Sequence, residues 1–82
     1  MSSRNFSNWL CDNDRETISY IHDDEVIYHY DYHDLLDDEK ADSIHRFLFN
    51  STVLTYKEYY AFKDACSYIR ARYLDTLRSK RE

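Results

Sequence analysis

The chain has no glycine and no proline among its 82 residues. Glycine adopts left-handed backbone conformations at no steric cost and proline makes rigid corners, so Asn, Asp and Ser must make the turns here. The lack of both residues favours helices over a many-stranded sheet. It also excludes a glycine-rich phosphate-binding loop, because the backbone of such a loop must approach the phosphate closely. Nucleotide-dependent chemistry of that kind is therefore not expected.

Cysteine and long apolar runs are scarce as well. The two cysteines, Cys11 and Cys66, do not make a disulfide framework, which favours a reducing compartment. No segment approaches the ~20 consecutive apolar residues that a membrane span requires. Residues 1–10 also lack the apolar centre of a secretion signal. We therefore expect a cytoplasmic protein that does not insert into a membrane.

Charge is abundant and unevenly distributed along the chain. The net charge is −5. Residues 1–42 hold twelve acids and three bases, a balance of −9, whereas residues 43–82 hold eight bases and four acids, a balance of +4. The basic end either complements the C-terminal dipole of a helix and pairs with the acidic half, or helps to steer a charged partner.

The clearest element is a helix from Thr55 to about Arg78. Thr55 and Glu58 have the spacing of a capping box. Apolar side chains then recur every three or four residues, which predicts a side that faces the core. Its members are Tyr59, Phe62, Cys66, Ile69, Tyr73 and Leu77. A second strip, which a bundle or a partner could cover, consists of Tyr56, Tyr60, Ser67, Ala71 and Leu74.

Three shorter helices are predicted before it. The first opens at Ser2 or Ser3 and places Phe6, Trp9 and Leu10 on one side. The second begins at Asn13, which has Glu16 in capping-box spacing, and ends near His22. The third is capped by Asp37 and stops near Asn50. Its core-facing side consists of Ala41, Ile44, Phe47 and Leu48.

Residues 25–32 are ambiguous because β-branched and aromatic side chains alternate there with a period of two. We interpret them as a strand that pairs with residues 52–54, or with a longer strand that extends back to Phe49. Without that pairing the segment is an extended or helical connector and the protein is all-α. The expected fold is one domain, residues 1–82, mainly α. It is a small helical domain with one long C-terminal helix and, if the strands pair, a minor two-stranded β element (α+β).

No catalytic or metal motif of high specificity is present. His29, Asp31 and His33 share one side of the predicted strand, which is a metal hypothesis, although zinc usually takes more protein ligands and the cysteines lack CxxC spacing. The alternative is that they are polar residues on the solvent side of a Tyr-rich strand. The acids cluster in runs typical of solvated faces, so we expect neither a cofactor nor an enzyme.

Tyrosine is in surplus, with nine residues. A core of this size cannot absorb them all, because each buried phenol needs a hydrogen-bond partner. Tyrosine beside Arg or Lys is typical of protein-binding patches, although scattered surface residues are an equal alternative. The candidate partner-binding residues are Tyr56, Tyr60, Lys63, Tyr68, Ala71, Arg72 and Leu74.

Three stretches carry a family resemblance: Asn-Phe-Ser-Asn-Trp-Leu at 5–10, Asn-Asp-Arg-Glu-Thr-Ile at 13–18 and Asp-Leu-Leu-Asp-Asp-Glu-Lys-Ala at 34–41. In these and in overall length the chain resembles the cytoplasmic antiholins of T-even-type bacteriophages, the RIII lysis-inhibition family. No functional motif aligns, so no site residue carries over. The resemblance implies a soluble regulator in the host cell cytosol that binds the cytoplasmic segment of a phage holin stoichiometrically and delays lysis.

The acidic half supports an alternative from a different class. Duplex DNA presents regularly spaced negative charge, so a small helical protein that displays many carboxylates could be an acidic DNA mimic, or another anti-host inhibitor, that blocks a nucleic-acid-binding protein. Direct nucleic-acid binding is not expected, because the net charge is negative and no reading motif is present. Homo-oligomerisation remains open at the level of sequence.

Overall fold

The computed structural model describes residues 3–81, with the side chains of residues 3–74. Within them, a four-stranded antiparallel sheet with the order β1-β2-β3-β4 is followed by three helices. The elements are β1 (Ser3–Phe6), β2 (Trp9–Asp12), β3 (Thr17–His22), β4 (Glu25–Asp31), α1 (Tyr32–Leu36), α2 (Asp38–Phe49) and α3 (Tyr56–Arg81). The fold is therefore α+β with a full sheet.

The mainly helical prediction is wrong for the first 31 residues. Both predicted N-terminal helices are hairpin strands, and the sheet has four strands where two were expected. The helix-like spacing of Phe6 and Trp9 has another origin, because these two residues pair across the β1–β2 turn. In β3, Ile18 and Tyr20 are buried whereas Ser19 between them is half-buried, which is the period-two pattern of a strand.

The hairpins turn without glycine by placing other residues in the left-handed region. These are Ser7 (φ 55°), Glu16 (φ 57°), Asp23 (φ 52°) and Asp24 (φ 65°). Asp adopts this region several times more readily than most residues, and Asp23 and Asp24 form the whole β3–β4 turn. In the β2–β3 loop, the Asp12 carboxylate accepts from the backbone N–H groups of Asp14 (3.0 Å) and Arg15 (3.2 Å). Lack of glycine therefore did not exclude tight turns.

The strand predicted at residues 25–32 is confirmed as β4, but its predicted partner is wrong. β4 pairs with β3, with Ile18 opposite Tyr30 and Tyr20 opposite Tyr28. Residues 52–54 belong instead to the connection between α2 and α3. A register shift beside Tyr20 leaves Ile27 without a direct partner on β3.

The two longer predicted helices are confirmed. Asp37 caps α2 by accepting from the backbone N–H groups of Glu39 (3.0 Å) and Lys40 (3.2 Å). The Thr55 hydroxyl accepts from the backbone N–H of Glu58 (3.3 Å) at the start of α3. The predicted core positions are only partly correct. Phe62, Cys66 and Ile69 are buried and Tyr59 is half-buried, Tyr73 and Phe47 are exposed, and the Leu77 side chain lies outside the described residues.

The core lies between one face of the sheet and the inner side of α3. At its centre Trp9 is fully buried, with its ring centroid 4.7 Å from that of Phe62 and 4.9 Å from that of Tyr20. The other fully buried large side chains are Ile18, Leu35, Leu48, Ile69 and Cys11. Burial of each of the Leu, Ile and Phe side chains contributes about 1.5–3 kcal/mol.

Candidate protein-binding surface

Glu58 fixes the start of α3 against the sheet. It is 7% exposed, and its Oε1 accepts a 2.5 Å hydrogen bond from the Ser7 hydroxyl. The Trp9 indole N–H donates to the backbone carbonyl of Glu58 at 3.0 Å. The carboxylate therefore binds the β1–β2 turn and not its own helix cap, so the capping-box prediction is half right. These contacts orient the inner side of α3 to the sheet.

The second strip of α3 consequently faces solvent. Tyr56 is 71% exposed, Tyr60 57% and Leu74 53%, and Ser67 and Ala71 are exposed as well. In an α-helix these positions fall within about 60° of one another, and the centre of the strip lies about 140° from the centre of the buried side that Phe62, Cys66 and Ile69 form. Among the described residues, strands β1–β4 (residues 3–31) leave the strip exposed, although the sequence alone allows the N-terminal elements to cover it.

One end of this strip joins a continuous group of aromatic rings where α2 meets α3. The ring centroid of Phe49 lies 6.3 Å from that of Tyr56 and 5.4 Å from that of Tyr59, which lies 5.7 Å from Tyr60. The Lys63 ammonium is 5.6 Å from the Tyr60 centroid and 6.0 Å from that of Tyr59. We call these five residues the corner surface. Ring contacts and the cation hold the exposed side chains in place.

A groove of about 360 Å³ opens beside the corner surface. It is lined by Leu48, Phe49, Ser51, Leu54, Thr55, Tyr56 and Tyr59. Three purely apolar side chains and four that carry a hydroxyl group therefore surround a recess that admits an anchoring side chain of another protein.

The seven predicted binding residues do not form one surface. Tyr56, Tyr60, Lys63, Ala71 and Leu74 lie along the outer side of α3, whereas Tyr68 and Arg72 lie on another flank. Tyr68 is half-buried, and its hydroxyl accepts a 2.7 Å hydrogen bond from the Asn13 amide. Its ring lies 5.5 Å from that of Phe6. Tyr68 therefore holds β1 and the β2–β3 loop against α3.

The sequence prediction places Phe47 in the core and does not include Phe49 in the candidate binding surface. Phe47 is 59% exposed and contacts the ring of Tyr28, and Phe49 is 55% exposed. The signal was present, because Phe47, Leu48 and Phe49 are consecutive and a helix cannot direct three neighbours to one side. Leu48 is the one that is fully buried.

A second cavity, of about 410 Å³, lies between α1, α3 and the β2–β3 loop. Asn13, Glu16, Tyr32, His33 and Arg72 are among its lining residues. The Tyr32 hydroxyl donates to the Asn13 side-chain carbonyl at 2.7 Å, and burial raises the pKa of Tyr32. The phenol therefore stays neutral and acts as a hydrogen-bond donor in the packing of the loop.

The two buried thiols do not have the properties of nucleophiles. Burial raises the pKa of Cys11 to about 11 and that of Cys66 to about 12. Both are therefore protonated at neutral pH, and the thiolate is the reactive form. They pack as small core residues.

The proposed metal ligands lie on two different elements. His29 on β4 makes a 2.8 Å hydrogen bond through Nδ1 with the Ser19 hydroxyl, while His33 is on α1. Among the described side chains, those of residues 3–74, no three from His, Cys, Asp or Glu come close enough to hold a metal ion. Within residues 3–81, no helix combines the length and the apolar character needed to cross a membrane.

Comparison with known protein families, curated proteins and solved structures finds no match to this chain. The geometry of the exposed aromatic rings and the charges around them is accordingly the basis for a functional proposal.

Proposed function

We propose that this protein is a non-enzymatic regulator that binds another protein stoichiometrically through the corner surface and the outer side of α3. The exposed, connected rings of Phe49, Tyr56 and Tyr60 support the proposal best. Aromatic residues are enriched at protein interfaces. Rings that already contact one another also lose little conformational freedom when a partner binds. The recess beside them adds a place for an anchoring side chain.

For the partner we propose the cytoplasmic segment of a phage holin, which makes the protein an antiholin acting in the host cell cytosol. The support for this step is the resemblance carried by residues 5–10, 13–18 and 34–41. Binding a holin one-to-one would withhold it from its assembly in the membrane and delay lysis.

The experiment is a lysis-timing assay in cells that co-express a T-even-type holin and this chain. The wild-type chain should delay lysis, and the double variant Tyr56→Ala/Tyr60→Ala should not. Tyr73→Ala is the matched control, because Tyr73 is an exposed tyrosine near the core-facing side of the same helix. Lysis that starts at the same time with and without the wild-type chain would contradict the antiholin proposal.

The DNA-mimic alternative draws less support from the arrangement of the acids. Four of them face cations: Asp12 with Arg15, Asp34 with Lys40, Asp42 with Arg46 and Asp38 with Arg70. A mimic should compete with duplex DNA, and its complex should dissociate steeply with salt. Displacement of the partner by duplex DNA would therefore favour the mimic over the antiholin.

A further inference from the structure

The outer side of α3 is basic as well as aromatic. Its exposed ionic side chains between Tyr56 and Leu74 are Lys57, Lys63, Asp64 and Arg70, whereas Arg72 lies on the other flank. Arg70 pairs with Asp38 of α2 at 2.9 Å, so Lys57 and Lys63 supply the excess positive charge over Asp64. Glu58, the other acid of this stretch, is buried against the β1–β2 turn. Residues 3–55, in contrast, hold twelve acids and four bases, a balance of −8. A locally positive helix side therefore lies on an otherwise acidic molecule.

The shape of this side suits another helix. From Tyr56 to Leu74 it runs for about 27 Å, or about five turns. Large side chains stand near its two ends, while the small residues Ser67 and Ala71 lie between them. Small residues let the backbone of a second helix approach closely, and the large ones bracket its ends.

We propose that the partner segment is an acidic amphipathic helix, which lies along the outer side of α3 with its apolar residues between Tyr60 and Leu74. Its carboxylates reach Lys57 and Lys63, which flank the strip. The inference rests on the proposed function and adds the chemistry of the partner. Charges at the rim of an interface chiefly raise the association rate and select against wrong partners.

Two other occupants fit the charges less well. Two copies related by a two-fold axis would place the excess cations of one outer side against those of the other, and like charges across an interface are unfavourable. An anionic membrane would attract the basic strip, but it would repel the rest of the chain, where acids outnumber bases. A separate acidic helix can lie along α3 alone, whereas a membrane is an extended surface that also meets the acidic remainder of the chain.

The test uses the full chain and two synthetic 20-residue helical peptides with the same leucine positions. One has Glu at every polar position and the other has Lys. Fluorescence anisotropy should show the acidic peptide binding at least 10-fold more tightly at low salt, with the preference falling at high salt. Lys57→Glu/Lys63→Glu should reverse the preference. Arg15→Glu, a charge reversal in the β2–β3 loop, should leave it unchanged.

Equal affinity for the two peptides, or binding of neither, would overturn the inference. Co-sedimentation with phosphatidylglycerol vesicles that Tyr60→Ala abolishes would assign the strip to a membrane. A dimer in sedimentation equilibrium that the same substitution dissociates would assign it to a second copy. Holin binding separates failure of the charge inference from failure of the proposed function. If only the charge inference is wrong, Tyr60→Ala weakens holin binding and Lys57→Glu/Lys63→Glu does not. If the double variant Tyr56→Ala/Tyr60→Ala also leaves holin binding intact, the proposed function fails with it.

Discussion

The two sides of α3 have similar aromatic content but opposite environments. On the inner side Phe62 is fully buried and Ile69 is 1% exposed, both packed in the core cluster under the sheet. On the outer side Tyr56, Tyr60 and Leu74 are each more than half exposed. Burial in the core explains why apolar residues occupy the inner side. The exposed residues of the outer side contribute little to the free energy of folding. A connected apolar surface outside the core is characteristic of an interaction site.

Truncation on the inner side should have the largest effect. Phe62→Ala removes a fully buried ring that contacts Trp9, Tyr30 and His45. Such a substitution costs about 3–5 kcal/mol through lost burial and a cavity. Urea denaturation should show this loss in the free energy of unfolding, or a chain that no longer folds. A loss below about 1 kcal/mol would mean that the inner side does not hold the domain together.

Loss of the Glu58 carboxylate should have the second-largest effect. This carboxylate fixes the rotation of α3, which determines which side of the helix faces the sheet and which faces solvent. Glu58→Ala leaves the Ser7 hydroxyl without its acceptor and should cost about 1–3 kcal/mol. Ser7→Ala should recover part of this loss in the double variant, since both partners are then absent. Additive losses in a double-mutant cycle would show that the two groups do not interact.

A substitution in the β3–β4 turn, which belongs to neither side of α3, should stabilise the protein by a smaller amount. Asp24 has φ 65°, and glycine adopts this conformation without the steric cost that other residues bear. Asp24→Gly should therefore raise the free energy of unfolding by about 0.5–1 kcal/mol. The matched control is Asp64→Gly in α3, which should lower it by about 0.3 kcal/mol. Destabilisation by both substitutions would contradict the assigned turn.

Truncation on the outer side should have the smallest effect on stability. Tyr60→Ala should change the free energy of unfolding by no more than about 0.5 kcal/mol, the usual range for a surface position. The same substitution should weaken partner binding at least 10-fold, the size expected for an aromatic anchor that costs about 1.4 kcal/mol or more. Thermal denaturation and calorimetric titration on one sample would separate the two quantities.

The helices could be predicted from the sequence because their signals are local. The Asp37 cap and the three- and four-residue spacing around Phe62 and Ile69 depend only on nearby residues. Strands β1–β3 were not predicted, because the turns of the sheet use Ser7, Asp23 and Asp24 where glycine is the usual signal. The period-two alternation in Thr17–His22 indicates a strand, but the capping-box spacing of Asn13 and Glu16 predicts a helix over the same residues.

The candidate surface was predictable in part for the same reason. The outer positions of Tyr56, Tyr60 and Leu74 follow from helical geometry once the inner side is known. The role of Phe49 depends on how α2 meets α3, and that of Tyr68 depends on the β2–β3 loop folding back through Asn13. Contacts between distant parts of the chain leave no periodic trace in the sequence.

The most direct test of the account is a calorimetric titration of the purified holin cytoplasmic segment into the wild-type chain and into the folded Tyr56→Ala/Tyr60→Ala variant. The account predicts one-to-one binding to the wild type and at least a 10-fold loss of affinity in the variant, with Tyr73→Ala close to wild type. Equal affinity for the wild type and the double variant, with both chains folded, would show that the outer side of α3 is not the binding surface.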